Sequence, residues 1–167
     1  GKPSANTLYT NTSQEAYWRA KNGYSTWAAA KSGRKRTLYV GANDGMLHAF
    51  DAESGAERWA FVPPFIAGKL PEILNDTLNG IGGSKRGGSN SIFAVDGSPV
   101  VHDVYIKGID ENGNYESQKN WHTILFIPYG RGGPGFSVLD VTNPHKPHHM
   151  FSVYNDQMNQ VVLIANK

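Results

Sequence analysis

The sequence contains no cysteine, so disulfide bonds, thiolate metal ligands and a cysteine nucleophile are all excluded. It has no apolar run of roughly 18 residues, the length that a membrane-spanning helix needs. Residues 1–10 also lack the apolar stretch of a signal peptide. The formal net charge is only +2, too small to attract nucleic acid or an acidic membrane surface. The sequence therefore predicts a soluble chain with no nucleic-acid partner and no membrane insertion.

Turn-forming residues and aromatic side chains are plentiful. The chain has 19 glycines, 9 prolines and 11% aromatic residues, a balance that favours short strands and tight turns. Helical spacing of apolar residues occurs only across residues 13–33. Gly23 interrupts that stretch, so it predicts either one helix or two shorter ones. The expected fold is mainly β with a short N-terminal helical segment.

Residues 36–64 predict a three-stranded meander. The tripeptide Asn43-Asp44-Gly45 is a strong signal for a tight hairpin turn, and a second turn follows Asp51. Pro63 ends the third strand. Apolar residues fall on both faces of these strands, so we expect the sheet to be covered on both sides.

A second group of predicted strands follows a segment of different composition, residues 65–90. Residues 65–90 predict a short helix around 71–78 and then a flexible glycine-serine loop. Strands are expected in the rest of the chain at residues 91–95, 99–107, 121–130, 136–141 and 150–156. The last residues, 161–167, read as the first strand of a further unit.

This pattern divides the chain into an N-terminal helical and loop segment, residues 1–35, and a partial β-propeller, residues 36–167. Its two blades, each of about four antiparallel strands, are expected at about 36–64 and 91–155, with a flexible insert at about 65–90. A propeller closes with about 4–8 blades, so two blades cannot form a ring. Either the remaining blades belong to a longer parent chain, or the strands form a compact β-sandwich.

One repeat motif supports the propeller interpretation. Residues 49–59 have the form A-x-D-x-x-[TS]-G-x-x-x-W. Asp51 is placed to cap the turn, Gly55 to take a positive φ, and Trp59 to pack across the next strand. The motif resembles the blade repeat of quinoprotein-type β-propellers, a fold that serves enzymes, scaffolds and adhesins alike.

Three longer segments carry a more specific resemblance. Residues 39–64, 95–108 and 121–144 together are similar to the C-terminal β-propeller of the PilC/PilY family of type IV pilus-tip adhesins and biogenesis factors. The resemblance covers about residues 36–155. It implies a large protein, exported through the periplasm to the bacterial surface or pilus tip, that opposes pilus retraction and supports attachment. The implied partners are pilin or minor pilins, a host or surface ligand, and the remaining blades.

That family carries an Asp-rich calcium loop, which has no clear counterpart here. The nearest stretch, residues 110–114, holds only two acidic residues and predicts an ordinary hairpin turn. We therefore expect no cofactor in this chain, although calcium is possible elsewhere in a full-length family member.

Several histidines are candidates for chemistry. His145, His148 and His149 fall within a stretch of five residues in a proline-rich turn, where they either hold a metal ion or face solvent. Their spacing matches no zinc-finger or helical ligand pattern, which favours the solvated turn. His48 either packs within or at the edge of its blade or faces a central channel.

The remaining candidates have simpler explanations. His102 and Asp103 are neighbours on a strand and point to opposite faces, so they cannot form a catalytic dyad. The glycine-rich residues 130–135 resemble an anion cradle but are better explained as a hairpin. Tyr9, Tyr115 and Tyr154 are candidate contact residues, with partial burial the simpler expectation. We predict no catalytic, cofactor-binding or metal-ligating residue.

Two function classes remain after these exclusions. The first is a non-enzymatic adhesin or biogenesis module that binds proteins or surfaces through propeller loops. The alternative is a fragment of a pyrroloquinoline-quinone-dependent dehydrogenase, whose blades repeat the tryptophan motif; here the full motif occurs once. An outer-membrane assembly scaffold with the same propeller is a third possibility.

Overall fold

A computed structural model describes residues 1–3, 14–73 and 93–166. Two short helices, α1 (Gln14–Lys21) and α2 (Tyr24–Ala30), precede the strands. A three-stranded antiparallel sheet follows in chain order, formed by β1 (Thr37–Gly41), β2 (Leu47–Asp51) and β3 (Glu57–Phe61). A five-stranded antiparallel sheet, also in chain order, consists of β4 (Val100–Ile106), β5 (Asn120–Pro128), β6 (Gly135–Asp140), β7 (His148–Asp156) and β8 (Val161–Asn166). The chain is therefore mainly β, as predicted.

The helical segment is divided at Gly23. This residue has φ +65°, a left-handed conformation that glycine adopts without steric cost, and it ends the run of helical dihedrals. Of the two open alternatives, two short helices are thus correct. None of the helices in the described residues is long and apolar enough to cross a membrane.

Both turns of the first sheet follow the local sequence rules. Gly45 takes φ +93° in the hairpin between β1 and β2, and the Asp44 carboxylate accepts the backbone N–H of Met46. In the second turn, Asp51 Oδ1 accepts the backbone N–H groups of Glu53 and Ser54 at 2.9 Å. The turn capped by an aspartate was predicted from the repeat motif and is confirmed.

The two sheets pack face to face. Their shared core contains Leu47 from β2 and three fully buried residues from the second sheet, Leu125, Ile127 and Leu139. Tyr39, Trp59 and Phe61 pack against this cluster from the first sheet. Each fully buried aliphatic side chain of this kind contributes about 1.5–3 kcal/mol, so this interface holds the two sheets together.

Three expectations about the strands need correction. The three-stranded meander predicted at residues 36–64 is confirmed, but it falls short of the blade of about four strands, and the second sheet has five strands where about four were expected. The strand expected at residues 91–95 is absent from its described part, 93–95, where Ala94 and Val95 are buried in irregular backbone. The segment expected to begin another unit, β8, instead pairs with β7 in the second sheet over six residue pairs.

The insert is only partly described. A 3-10 turn at Ala67–Lys69 leads into a four-residue helix, α3 (Leu70–Ile73). This helix begins one residue before the predicted one. The rest of the predicted helix and the glycine-serine loop lie outside the described residues.

Candidate functional site

The face of the five-stranded sheet that points away from the first sheet is apolar across all five strands. We call it the outer face. Cross-strand pairing places Val100 opposite Phe126, Phe126 opposite Val138, and Val138 opposite Phe151. Val100 is 55% exposed, and Ile164 on β8 is 68% exposed. The outer face is therefore an apolar surface that reaches both edges of the sheet.

Aromatic rings form the centre of the outer face. The rings of Phe126 and Phe136 lie 4.8 Å apart between centroids, and those of Phe136 and Phe151 lie 6.2 Å apart. Such aromatic groups contribute most when they are fully removed from water, yet Phe126 remains exposed. A surface of this kind marks a site of contact with another protein segment.

The first sheet is also apolar on its far side. Leu38 is 56% exposed, and it pairs across the strands with Phe50. On β2, the His48 ring lies 2.7 Å from Oε1 of Glu57 on β3. The same ring lies 2.9 Å from Asp44 Oδ2. The hydrogen bonds to these carboxylates raise the pKa of His48 despite partial burial. Each sheet therefore packs one face into the shared core and leaves part of its other face exposed within the described residues. On the outer face, Val138 and Met150 are buried with Ile109 of the loop between β4 and β5.

The described residues also contain a buried histidine between two carboxylates. His122 Nε2 lies 2.8 Å from Glu116 Oε2, and His122 Nδ1 lies 2.6 Å from Asp140 Oδ2. His122 is 4% exposed and Asp140 is 2% exposed. Burial opposes the charged imidazolium, but the two carboxylates outweigh it and raise the pKa of His122. Each ring nitrogen thus lies close to a carboxylate, and the three side chains form an ion-pair cluster.

Gly108 makes room for this histidine. A Cβ atom built at Gly108 would lie 2.5 Å from His122 Cε1, closer than any normal contact between carbon atoms. The backbone carbonyl of the same glycine accepts the N–H of Glu116 at 3.0 Å. Gly108 thus positions both His122 and one of its carboxylate partners.

A polar network joins the helices to the second sheet. The Tyr24 hydroxyl donates to Asp103 Oδ2 at 2.7 Å, and the Thr123 hydroxyl donates to Asp103 Oδ1 at 2.6 Å. Arg34 Nη1 donates to Thr123 Oγ1 at 2.8 Å. Burial, together with the hydrogen bond to Asp103, raises the pKa of Tyr24. These contacts place a neutral phenol beside a hydrogen-bonded carboxylate. Their role is structural, because they attach the helices to the second sheet.

A second set of buried hydroxyls lies in the middle of the sheet. The Tyr129 hydroxyl lies 2.7 Å from Ser137 Oγ, which lies 2.7 Å from Ser152 Oγ. His149 Nε2 lies 2.8 Å from Ser152 Oγ. Both serines are fully buried, so no substrate can reach them as nucleophiles. These side chains satisfy one another within the core.

The three histidines of the proline-rich turn do not converge. His149 stacks on Phe61 with ring centroids 5.6 Å apart, whereas His148 pairs with Asp140 along the neighbouring strand. His145 is exposed. Within the described residues no group of three or more histidine, aspartate or glutamate side chains is arranged so that it could hold a metal ion.

The two glycine-containing loops are hairpin turns, as predicted. In the first, Asp110 Oδ1 accepts the backbone N–H groups of Asn112 and Asn114. These bonds, with that to Asn114 the largest contribution, lower the pKa of Asp110. In the second, residues 130–135 connect β5 to β6, and the Tyr129 N–H donates to the carbonyl of Gly135.

The other residues singled out in the sequence lie apart from one another. His102 lies 3.6 Å from Glu15 on the helix side, while Asp103 belongs to the network of Tyr24, so the two form no dyad. Tyr115 is exposed, and Tyr154 is half-buried with its ring 5.5 Å from that of Phe65. Tyr9 lies outside the described residues. The absence of catalytic, cofactor-binding and metal-ligating residues stays a prediction.

The sequence reading missed the Glu116–His122–Asp140 cluster. Its only local signal is a histidine inside the apolar strand β5, where a polar ring needs buried partners. Those partners come from a loop and from the end of β6, and no spacing rule connects the three positions.

Two antiparallel sheets that pack through one face each are arranged as neighbouring blades of a β-propeller are. The comparisons with known proteins give the particular family. A family described as the PilY1 beta-propeller domain matches residues 9–162, and the chain belongs to this family.

The relatives and a solved structure agree with this membership. The chain is 40% identical over 134 residues to the type IV pilus biogenesis factor PilY1 of Pseudomonas aeruginosa strain PAO1, covering 80% of the chain and 10% of that protein. A PilY1 homologue from Xylella fastidiosa is 36% identical over 137 residues, covering 82% and 9%. The crystal structure of the P. aeruginosa PilY1 C-terminal domain matches with a TM-score of 0.56 and 29% identity, covering 94% of the chain and 24% of that domain. The chain thus spans about a tenth of the length of these curated relatives.

Proposed function

We propose that this chain is a propeller segment of a non-enzymatic type IV pilus biogenesis factor that acts at the pilus tip. The observation that supports the proposal is the family match over residues 9–162, which includes both open sheets. The relatives are named as pilus biogenesis factors. In this proposal the protein reaches the cell surface through the periplasm, controls pilus extension and retraction, and contributes to adhesion.

The open apolar faces indicate how the segment fits into the larger protein. Burial of apolar area drives sheet association at about 25 cal/mol per Å², and propeller blades cover one another on both faces. In the proposed assembly, further blades of the parent chain cover the outer face and the far side of the first sheet. Pilin or minor pilins and a host or surface ligand then contact the loops, where the exposed Tyr115 lies.

The dehydrogenase alternative is not favoured. The full tryptophan motif occurs once in the chain, and the relatives are named for pilus biogenesis. These observations support a binding module.

The pilus role is tested by deleting the parent gene in a piliated bacterium. Loss of surface pili and of attachment is expected, with pili restored when retraction is disabled in the same strain. Unchanged piliation and attachment would contradict the proposal. Addition of pyrroloquinoline quinone and Ca²⁺ to the purified parent protein, followed by dye-linked alcohol oxidation, tests the enzyme alternative; turnover would favour that alternative.

Coverage of the outer face is tested by thiol labelling, which the absence of cysteine in this chain makes simple. In the complete propeller domain, Phe126→Cys should react slowly with a maleimide because another blade covers it. The exposed loop residue Ser117, changed to cysteine, is the matched control and should react fast. Equal rates would show that the outer face is open to solvent.

A further inference from the structure

A cleft of about 340 Å³ opens at one end of the five-stranded sheet. Its walls include Asn120 at the start of β5, Asp140 at the end of β6 and His148 at the start of β7. Trp27 of α2 forms part of another wall. Phe126 and the other exposed parts of the outer face lie toward the opposite strand ends, so the cleft is a separate feature. Its volume is at the small end of the range of about 300–1,000 Å³ for small-ligand sites.

Two indole rings line this cleft. The ring centroids of Trp27 and Trp121 lie 6.2 Å apart with an angle of 37° between the ring planes. Trp121 is buried and fixed by its N–H, which donates to the carbonyl of Asn22 at 2.8 Å. Trp27 is only partly buried, so it offers aromatic surface to a ligand. Rigid aromatic surface of this kind packs against flat apolar groups at low entropic cost.

Polar groups of mixed character surround the indoles. The side chains of Asn120 and Asn143 line the cleft, and each carboxamide carries both donors and acceptors. Asn120 Nδ2 donates to Glu116 Oε1 at 3.1 Å, which fixes the orientation of its amide. An apolar platform with donors and acceptors around it matches the amphipathic surface of a sugar ring, whose C–H face is apolar and whose edge carries hydroxyl groups.

Acidic side chains outnumber basic side chains around the cleft. Glu116 and Asp140 flank His122, and Asp110 is occupied by the N–H groups of its own turn. The lining also includes two lysines and one further acid, namely Lys31, Lys146 and Glu111. With four carboxylates and two lysines in its lining, the cleft carries a net negative formal charge when its histidines are neutral, so it disfavours an anionic ligand.

One buried atom in the lining of the cleft requires a partner. His148 Nε2 is inaccessible to solvent and has no hydrogen-bond partner within the described part of the chain. An unsatisfied buried polar atom costs about 1–3 kcal/mol. Because this nitrogen is closed to solvent, a ligand in the open cleft does not contact it.

We propose that this cleft binds a neutral carbohydrate of one or two rings. Trp27 provides the stacking surface, and Asn120 and Asn143 bind hydroxyl groups. This site goes beyond the proposed pilus role and does not depend on it.

The test uses the complete propeller domain and four probes: methyl glucoside, methyl galactoside, methyl mannoside and N-acetylglucosamine. Saturation-transfer NMR and calorimetry should show binding of at least one probe. Trp27→Ala should weaken that binding at least about tenfold, as loss of a stacking surface predicts. Trp18→Ala, which removes an exposed indole on α1 remote in sequence from β5–β7 and absent from the cleft wall, is the matched control and should bind as the parent does.

A second variant distinguishes a loss of binding contacts from misfolding of α2. Asn120→Ala changes an exposed side chain and should weaken binding several-fold with an unchanged circular dichroism spectrum. The proposal is overturned if none of the four probes binds, or if Trp27→Ala and Asn120→Ala bind as tightly as the parent. Binding of a sulfated disaccharide in preference to all four neutral probes would also overturn it, since the charge balance would then be wrong.

Discussion

The Trp59 indole N–H donates a hydrogen bond to the carbonyl oxygen of Pro144 at 2.9 Å. This bond joins the last strand of the three-stranded sheet to the loop after β6 in the five-stranded sheet. The same indole packs on the ring of Tyr39, with centroids 5.7 Å apart, and contacts the shared core. The tryptophan of the repeat motif thus acts between sheets as well as within one.

Trp59→Phe should therefore weaken the contact between the sheets. Loss of the hydrogen bond and of part of the packing should lower the free energy of unfolding of the propeller domain by about 1–3 kcal/mol. Urea denaturation followed by circular dichroism measures this change. Trp18→Phe, at an exposed position on α1, should change it by at most about 0.5 kcal/mol. Equal effects of the two substitutions would contradict the role given to Trp59.

Gly108→Ala should disturb the buried histidine. The new methyl group would overlap the His122 ring, and overpacking of this kind typically costs about 1–3 kcal/mol. Gly33→Ala is the control, because a Cβ atom there meets nothing within 4 Å. The same urea midpoint for both variants would show that the ring moves aside freely.

His122 and Asp140 should give the stability a defined pH dependence. The pKa of His122 is raised above its ordinary 6.5, so its contribution is complete below pH 6.5 and is lost as the pH rises through the raised value. Burial alone would raise the pKa of Asp140, but His122 and Thr142 lower it below 3.8, so its contribution is lost only in stronger acid. Both contributions are complete between pH 3.8 and 6.5.

The measurement is the urea midpoint at several pH values from 5 to 9. The midpoint should fall on the alkaline side of pH 6.5, and His122→Gln should reduce that fall because the titrating ring is gone. His145→Gln, at an exposed position, should leave the profile unchanged. If the urea midpoints of the native protein and His122→Gln fell equally with pH, His122 would not be the cause of the fall.

Tyr24→Phe should loosen the helices from the second sheet. It removes the hydroxyl that donates to Asp103 and leaves that carboxylate oxygen without this donor, at a cost of about 1–3 kcal/mol. Hydrogen exchange across α1 and α2 should become faster. Tyr17→Phe, on the exposed side of α1, is the matched control; equally fast exchange in both variants would refute the anchoring role of Asp103.

Local chemistry made parts of this fold predictable. Gly23, Gly45 and Gly55 all take positive φ values where the sequence indicated a helix break or a turn. Asp51 accepts the N–H groups of its turn, and these bonds, with the nearby Arg58, keep the pKa of Asp51 well below its usual range. Each of these features depends on residues within a few positions of one another, so a single sequence contains the needed information.

Other features depend on distant partners and were not predictable in this way. Ala94 and Val95 looked like a strand, but they lie buried in irregular backbone against the close backbone of Gly132 and Gly41. The partners of His122 are likewise set by the pairing of whole strands. An apolar pattern shows that a residue is buried, and it does not show which strand or loop covers it.

The rim of β8 has a consequence for how the protein is made. The last strand of the sheet has four consecutive exposed apolar residues, Val161, Val162, Leu163 and Ile164. Within the described residues, no further strand pairs with the backbone groups on its free edge. Such a rim templates sheet formation with any extended peptide that meets it. Copies of the chain that expose this edge can therefore pair with one another, so self-association competes with folding.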